Sequence, residues 1–335
     1  MATGYAARLM LTDVHSGGTA TSAREDSGIS DKGEPDSGAR GNSARQPARP
    51  LRFAIVTPSY YVDFERCRWL VETVARFVPE DVPHYLIVDR ADRDLFQPLR
   101  SSRTHVVFKE DTLRGRVQQV PFARKWWVGT RIPPVRGWIV QQLTKLYVSE
   151  VVEEDVLIFV DSGCFFVRPF DPRTTQREGD GAVRLFRESG DYFRSKVVHR
   201  WHGINAKLLG IRPLPDYDVG YVTQLITWRR DNLLLLQKHL ERVSGRHPIE
   251  TLARQLTLSE YYLYGMYCDL ILGDRSRHYH TPVASSYCYW QLASLSEADL
   301  QSIRAKLEPE HVLVLVNEKS HTPLTNVRAV FDVRV

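Results

Sequence analysis

The chain has 335 residues, of which 43% are hydrophobic and 25% are charged, and its formal net charge is +5. A globular protein of this length can bury a core without disulfide or metal crosslinks. The basic excess is small and forms no dense block of Lys and Arg, which argues against nucleic acid as a partner and suits anionic small molecules.

The cysteines and the apolar segments indicate where in the cell the protein is located. Cys67, Cys164, Cys268 and Cys288 show neither CxxC spacing nor nearby zinc-ligand partners, so we interpret them as reduced thiols. No segment approaches the roughly 18 apolar residues of a membrane span, and the amino terminus lacks the pattern of a secretory signal. The sequence therefore predicts a cytoplasmic protein without a transmembrane segment.

The amino-terminal block differs in composition from the rest. Residues 1–50 are rich in Gly, Ser, Ala, Asp and Arg and carry almost no large apolar residue after Met10. Such a segment cannot bury enough surface to offset its ordering entropy, so we predict a disordered tail. Residues 51–335 show no internal repeat and no linker, which indicates a single domain.

The first half of that domain alternates apolar runs with helical periodicity. The runs predict buried strands at residues 53–57, 85–88, 106–108 and 156–160. Apolar residues at helical spacing predict one helix after Asp63, which can cap it, and another over 137–152. This alternation predicts an α/β fold with a mostly parallel central sheet flanked by helices.

The second half is less regular. Residues 219–228 indicate a strand pair or an edge region, and a Leu-rich helix is predicted over 232–243. Another helix is predicted from Ser259, its cap, through Leu272. The apolar run over residues 312–316 predicts a late strand.

One stretch carries the strongest chemical signal. The sequence lacks both GxGxxG after the first strand and GxxxxGK[ST], which argues against dinucleotide oxidoreductases and P-loop enzymes. In DVLIFVDSGCFFVRPF, residues 155–170, an apolar strand ends at Asp161. Ligands of open α/β sheets bind at the carboxyl ends of strands, so Asp161 either holds a cation and a diphosphate or simply ends the strand. Periodicity leaves both interpretations open.

Five motifs in order suggest a relationship. FAIVTPSYYVDFERC, HYLIVDR, RGWIVQQLTKL, VLIFVDSG-FFVRPF and SEYYLYG together extend over about residues 52–320. In this combination the chain resembles a family of poorly characterised bacterial proteins with the glycosyltransferase A-type (GT-A) fold. The resemblance implies a GT-A-like single domain that transfers a sugar from a nucleoside-diphosphate sugar to an acceptor hydroxyl.

The resemblance also implies a metal. The family's segment at Asp161–Gly163 usually has the sequence Asp-Ser-Asp, a DxD motif that binds Mn or Mg and the donor diphosphate, but here Gly163 replaces the second carboxylate. This departure leaves three alternatives. Asp161 holds a divalent cation together with another ligand, or Arg and Lys side chains replace the metal at the diphosphate, or the protein has lost its activity. The late loop offers His321 as a metal ligand, with a surface histidine as the alternative.

Further roles follow from the match to the family. The candidate residues for binding the nucleotide sugar are Thr57, Pro58, Tyr60, Asp89, Gln142, Lys145, Asp161 and Ser162. Asp161 is also a candidate catalytic residue, as the anchor of the metal or diphosphate. For Asp89 and Lys145 the alternatives are a turn residue and a solvated helix face.

Glu260 is the candidate general base. It lies in Ser259-Glu260-Tyr261, where the predicted helix begins, and the amino end of a helix stabilises an anion. An inverting transferase needs a carboxylate to remove the acceptor proton, while a structural charge near the cap is the alternative. Two other functions remain: a catalytically inactive nucleotide-sugar- or glycan-binding protein, which Gly163 favours, and a nucleotidyltransferase.

Overall fold

A computed structural model describes residues 49–190, 195–213, 218–255 and 257–332. The predicted disordered tail lies outside these ranges except for its last two residues. Within the described ranges, no helix combines the length and the apolar character needed to cross a membrane.

The strands of the described ranges are numbered in chain order. They are β1 (Phe53–Pro58), β2 (His84–Val88), β3 (Thr104–Phe108), β4 (Gln118–Gln119), β5 (Trp126–Gly129), β6 (Ile132–Arg136), β7 (Val156–Phe159), β8 (Cys164–Phe166), β9 (Val183–Phe186), β10 (Glu188–Ser189), β11 (Val219–Gly220), β12 (Ile226–Arg229), β13 (His278–Thr281), β14 (Ser286–Tyr289) and β15 (Leu313–Val316).

The α-helices follow the same numbering. They are α1 (Phe64–Phe77), α2 (Arg93–Phe96), α3 (Lys109–Thr112), α4 (Gly137–Tyr147), α5 (Lys196–Leu209), α6 (Arg230–Ser244), α7 (Pro248–Ala253), α8 (Glu260–Met266), α9 (Glu297–Ala305) and α10 (Leu324–Phe331).

The central sheet has five strands in the order β12-β7-β1-β2-β3. β7, β1, β2 and β3 run parallel to one another, and β12 pairs antiparallel with β7 at the edge. The predicted α/β fold with a mostly parallel central sheet is therefore confirmed. The region predicted as a strand pair or an edge supplies that antiparallel edge strand.

Alternate residues of the central strands face opposite layers of helices. Ala54 and Val56 belong to a core that includes Leu143 of α4, whereas Ile55 packs with Leu70 of α1. All five side chains are fully buried. Burial on both faces explains why these strands are continuous apolar runs in the sequence.

A second sheet continues directly from the first. Asp161–Gly163 connect β7 to β8, and β8 pairs antiparallel with β15, which also pairs with β14. The turn leaves little space, because a Cβ on Gly163 would lie 3.2 Å from Leu315 Cδ1. The late apolar run therefore completes the sheet that follows Asp161 and lies outside the central sheet.

Two helix caps were wrongly predicted. Asp63 and Ser259 occupy the N-cap positions of α1 and α8, but neither side chain accepts a capping hydrogen bond. Asp63 instead accepts a hydrogen bond from the Ser162 hydroxyl at 3.0 Å. At α8, the Glu260 backbone N–H donates to Gln142 Oε1 at 3.1 Å. Partners distant in the chain have replaced the local capping bonds in both places.

Candidate functional site

The carboxyl ends of the central strands bring the predicted segments together. β1 pairs with both β2 and β7, with Pro58 opposite Ile87 and Val56 opposite Phe159. Tyr60, Asp89 and Asp161 follow the ends of these three strands and therefore lie along one edge of the sheet.

The first cavity at this edge contains about 590 Å³ of empty space, including its open mouth. Four of the residues predicted to bind the nucleotide sugar, Pro58, Tyr60, Asp161 and Ser162, line it. The complete lining is Pro58, Ser59, Tyr60, Asp63, Lys109, Gln141, Asp161, Ser162, Gly163, Trp290, Leu315, Asn317 and Glu318.

A second cavity adjoins the first and contains about 650 Å³, again including its mouth. Asp161 lines both cavities, together with Gln141 and Trp290. The complete lining of the second is Trp138, Gln141, Gln142, Lys145, Asp161, Trp201, Val222, Gln224, Leu258, Ser259, Glu260, Tyr261 and Trp290. The predicted donor residues on α4 and the predicted base on α8 thus share this cavity.

A buried lysine joins the two predicted catalytic carboxylates. Lys145 Nζ lies 3.1 Å from Asp161 Oδ1 and 3.2 Å from Glu260 Oε1, and it donates to the Tyr261 hydroxyl at 2.6 Å. Burial alone would lower the pKa of Lys145, but Asp161, Tyr261 and Glu260 outweigh that effect and raise the pKa well above its ordinary value. The ammonium therefore stays charged at neutral pH. A solvated helix face was the other interpretation of Lys145, and its burial excludes that one.

Glu260 and Gln142 form the adjacent wall of the second cavity. Burial raises the pKa of Glu260, while the neighbouring Lys145 acts in the opposite direction. Gln142 accepts from the Glu260 backbone N–H, yet its Nε2 is buried without a hydrogen-bond partner. A buried donor in a cavity wall is suited to a hydroxyl or carbonyl oxygen of a ligand.

Asp161 is held from two sides. Lys145 approaches one of its oxygens, and Gln224 Nε2 donates to the other, Oδ2, at 3.0 Å. Gln224 is absent from the sequence motifs, because it reaches Asp161 from the loop before β12. The carboxylate is therefore oriented by the fold before any ligand is present.

Of the two predicted metal ligands, Asp161 lines both cavities and His321 lines neither. Gly163 supplies no ligand, and His321 is exposed. Within the described ranges, no group of three His, Cys, Asp or Glu residues has an arrangement that could hold a metal. In this arrangement the Lys145 ammonium is a positive partner of Asp161. A divalent cation stays a prediction.

Asp63 and Glu318 form an acidic pair in the first cavity. Asp63 was predicted to cap a helix, and it takes part in this pair instead. Burial, together with the hydrogen-bonded Glu318 carboxyl, raises the pKa of Asp63 to about 8. Ser162 donates to the same carboxyl. The two acids are far apart in the chain, so no spacing in the sequence indicated their proximity.

Thr57 and Asp89 lie outside the linings of both cavities. Thr57 is fully buried, and its hydroxyl lies 2.9 Å from His84 Nε2. Asp89 pairs with Lys109 Nζ at 2.7 Å and accepts from Gln119 Nε2 at 2.9 Å. Lys109 lines the first cavity. Asp89 therefore contributes to that cavity indirectly, because its carboxylate holds the Lys109 side chain in place.

Comparison with known proteins places the chain in a family. A model described as a family of unknown function, DUF6492, matches residues 51–333. The protein belongs to this family, since the match takes in nearly all of the chain outside the tail. None of the curated proteins matches the sequence.

Proposed function

We propose that this member of the DUF6492 family is a GT-A-like glycosyltransferase that moves a sugar from a nucleoside-diphosphate sugar to an acceptor hydroxyl. The observation that carries the proposal is that Asp161, just beyond a parallel strand, borders two adjoining cavities. A transferase must hold two substrates side by side with the reacting atoms between them. Two cavities that meet at one oriented carboxylate suit that requirement.

In this proposal the first cavity takes the donor. Tyr60 provides an aromatic ring for the base, and Ser162 provides a hydroxyl beside the diphosphate. The leaving diphosphate needs positive charge as the glycosidic bond breaks. Lys109 in the first cavity and Lys145 beside Asp161 are the cations at hand. Mn or Mg at Asp161 is the alternative source of that charge, and it would replace Lys145 as the partner of the carboxylate.

The second cavity then takes the acceptor. Its walls include Trp138, Trp201 and Trp290, and apolar walls with a few placed polar groups are typical of small-molecule sites. The unpartnered Gln142 Nε2 would donate to an acceptor oxygen. Glu260 would remove the acceptor proton, and its raised pKa makes it a stronger base than an ordinary carboxylate.

The test is release of nucleoside diphosphate across a panel of nucleotide sugars, with Mn²⁺, with Mg²⁺ and with chelator. We expect release from at least one donor, and a loss of about 100-fold or more in Asp161→Asn, the size of effect seen when an electrostatic stabiliser is removed. Release that persists in chelator would assign the positive charge to Lys and Arg side chains.

Asp81→Asn is the matched control, because Asp81 is an exposed carboxylate in a surface ion pair with Arg173. It should retain full activity and the same thermal midpoint. Near-normal turnover in Asp161→Asn would refute the role of that residue.

A binding protein without catalysis is the second candidate. Gly163 in place of a carboxylate, and the pairing of Asp161 with Lys145, are the observations that favour it. Saturable binding of a donor in calorimetry, with no release in the presence of any acceptor tried, would support this candidate. Release of pyrophosphate instead of nucleoside diphosphate would indicate a nucleotidyltransferase.

A further inference from the structure

A basic ribbon precedes the helix that carries Lys145. We use this name for residues 113–136, in which β4, β5 and β6 form an antiparallel three-stranded sheet. The segment has no acidic residue. Its basic residues are Arg114, Arg116, Arg124, Lys125, Arg131 and Arg136. These cations are spread along the segment and do not form a dense block, but no acidic residue offsets them, so the segment is locally basic in a chain whose net charge is only +5.

One face of the ribbon is anchored in the protein. Trp127, Ile132 and Val135 are at most 7% exposed and belong to the main core cluster. Because successive residues of a strand point to opposite faces, Trp126 and Val128 face outward. The ribbon is therefore fixed in place with its other face open.

The open face and the adjoining loop carry large apolar side chains. Phe122 is fully exposed at 103%, and Trp126 and Val128 are 40% and 42% exposed. Pro121 and the two prolines of β6 are exposed as well. Concentrated apolar exposure of this kind marks a surface that binds a partner or a membrane.

Cations surround this apolar surface. Lys125, Arg131 and Arg136 are exposed, and none of them has a carboxylate partner within the ranges that the structure describes. The Arg136 guanidinium lies 5.5 Å from the centre of the Trp126 ring, its cross-strand neighbour. Their charge is therefore available to an anionic partner.

We propose that the basic ribbon docks on an anionic lipid bilayer. Phe122 and Trp126 would enter the interfacial layer, where aromatic residues are favoured, and Lys125, Arg131 and Arg136 would face lipid phosphates. Long basic side chains can place their stems along apolar surface and keep their charges at the headgroups.

The chemistry of the surface favours a bilayer over nucleic acid. Bases stack on ring faces, and Phe122 and Trp126 offer two. Val128 and the exposed prolines add aliphatic surface that stacking does not use but that the interfacial layer of a bilayer covers. The combination of aliphatic, aromatic and basic groups therefore matches a lipid headgroup layer.

The ribbon leads directly into the second cavity. β6 ends at Arg136, α4 begins at Gly137, and Trp138, Gln142 and Lys145 of α4 line the cavity. Docking of the ribbon would hold α4 near the bilayer surface. The docking itself does not depend on the proposed sugar transfer.

The experiment is sedimentation of the full chain with vesicles of phosphatidylcholine, with and without phosphatidylglycerol. We expect binding only to the vesicles that contain phosphatidylglycerol. Raising NaCl from about 0.1 M to about 1 M shortens the Debye length from about 10 Å to about 3 Å, and this should weaken the binding.

Two double variants locate the surface. Lys125→Gln with Arg136→Gln should weaken binding about 25-fold, from about fivefold for each basic residue near an anionic surface. Phe122→Ser with Trp126→Ser should weaken it about tenfold or more, since two apolar anchors are lost.

Matched controls lie elsewhere on the surface. Leu235→Ser removes an apolar side chain that is 45% exposed on α6, and Lys238→Gln with Lys306→Gln removes two exposed lysines. Both should bind like the unaltered chain, and all variants should have unchanged circular dichroism. The proposal is overturned if the unaltered chain does not bind the vesicles that contain phosphatidylglycerol, whether or not it binds single-stranded RNA, or if the ribbon variants bind equally well.

Discussion

At the scale of single residues, the candidate site depends on one buried cation between two acids. Lys145 is 3% exposed and contacts both Asp161 and Glu260. Its pKa is raised well above the ordinary value because these carboxylates and Tyr261 outweigh the effect of burial. The lysine thus balances charges that would otherwise be buried together without compensation.

Lys145→Met should lower the free energy of unfolding by about 3–5 kcal/mol, since removing one partner of a buried ion pair leaves the others uncompensated. Urea unfolding measures the change. Adding Glu260→Gln to the variant should recover part of the loss by removing one of the stranded charges. A change below about 0.5 kcal/mol, the range of ordinary surface substitutions, would contradict the role. Lys238→Met, at an exposed lysine, is the control.

The raised pKa of Asp63 predicts a dependence of stability on pH. In the unfolded chain Asp63 releases its proton near pH 4, whereas in the folded protein burial and Glu318 raise its pKa to about 8. Between these values the folded state binds more protons, so this group makes the free energy of unfolding fall as pH rises from about 4 to about 8.

Urea unfolding at several pH values, compared between the unaltered chain and Asp63→Asn, tests this expectation. Asparagine cannot ionise, so the variant should lose that part of the slope. Asp81→Asn, at an exposed carboxylate, should retain it. Equal slopes in the unaltered chain and in Asp63→Asn would show that Asp63 keeps an ordinary pKa.

At the scale of elements, α8 is positioned by a close approach to a tyrosine. A Cβ on Gly265 would lie 2.4 Å from atoms of the Tyr221 ring. The ring is 1% exposed and has little space to move. The absence of a side chain at Gly265 thus permits the packing that holds Glu260 of α8 beside Lys145.

Gly265→Ala should lower the free energy of unfolding by about 1–3 kcal/mol, because overpacking outweighs the better helix propensity of alanine. Gly203→Ala in α5 is the matched control, since a Cβ there meets nothing within 4 Å. That change should stabilise the protein by about 0.5–1 kcal/mol. Thermal or urea unfolding of both variants decides the matter, and a stabilising Gly265→Ala would contradict the packing argument.

At the scale of the whole molecule, the end of the chain completes the structure around its beginning. Phe165 of β8 stacks on Trp69 of α1, with ring centroids 4.0 Å apart, and both belong to a cluster with Val314 and Val327. β15 also pairs with β8 directly after Asp161–Gly163. The carboxyl-terminal strands therefore cover and pair with the segment that directly follows the turn carrying Asp161.

A chain ended after Thr281 should fail to reach the native state, because β8 and α1 would lose their covering residues. Loss of near-ultraviolet circular dichroism and binding of an apolar dye would show this outcome. Deletion of residues 2–48 is the control, and from its composition we expect no change in the urea midpoint. A truncated chain with native near-ultraviolet signals would contradict the expectation.

The sequence by itself determined the four parallel strands of the central sheet and the positions of α1, α4, α6 and α8, but it did not predict the other six α-helices of the described ranges. Ile55 and Leu157 belong to apolar runs because both faces of a parallel sheet are covered, and the stripe of α4 is local to one helix. The placement of Asp161 at a strand end follows from the same local pattern.

Only the tertiary structure decided which side chains meet at Asp161. Gln224 comes from 63 residues away, and Trp290 and Glu318 come from still later in the chain. Asp63 lines the first cavity, although a local helix cap was predicted there, and the exposed His321 is not part of the lining. Periodicity reports burial along one element, whereas these contacts depend on strand pairing and packing between distant elements, which no spacing in the sequence specifies.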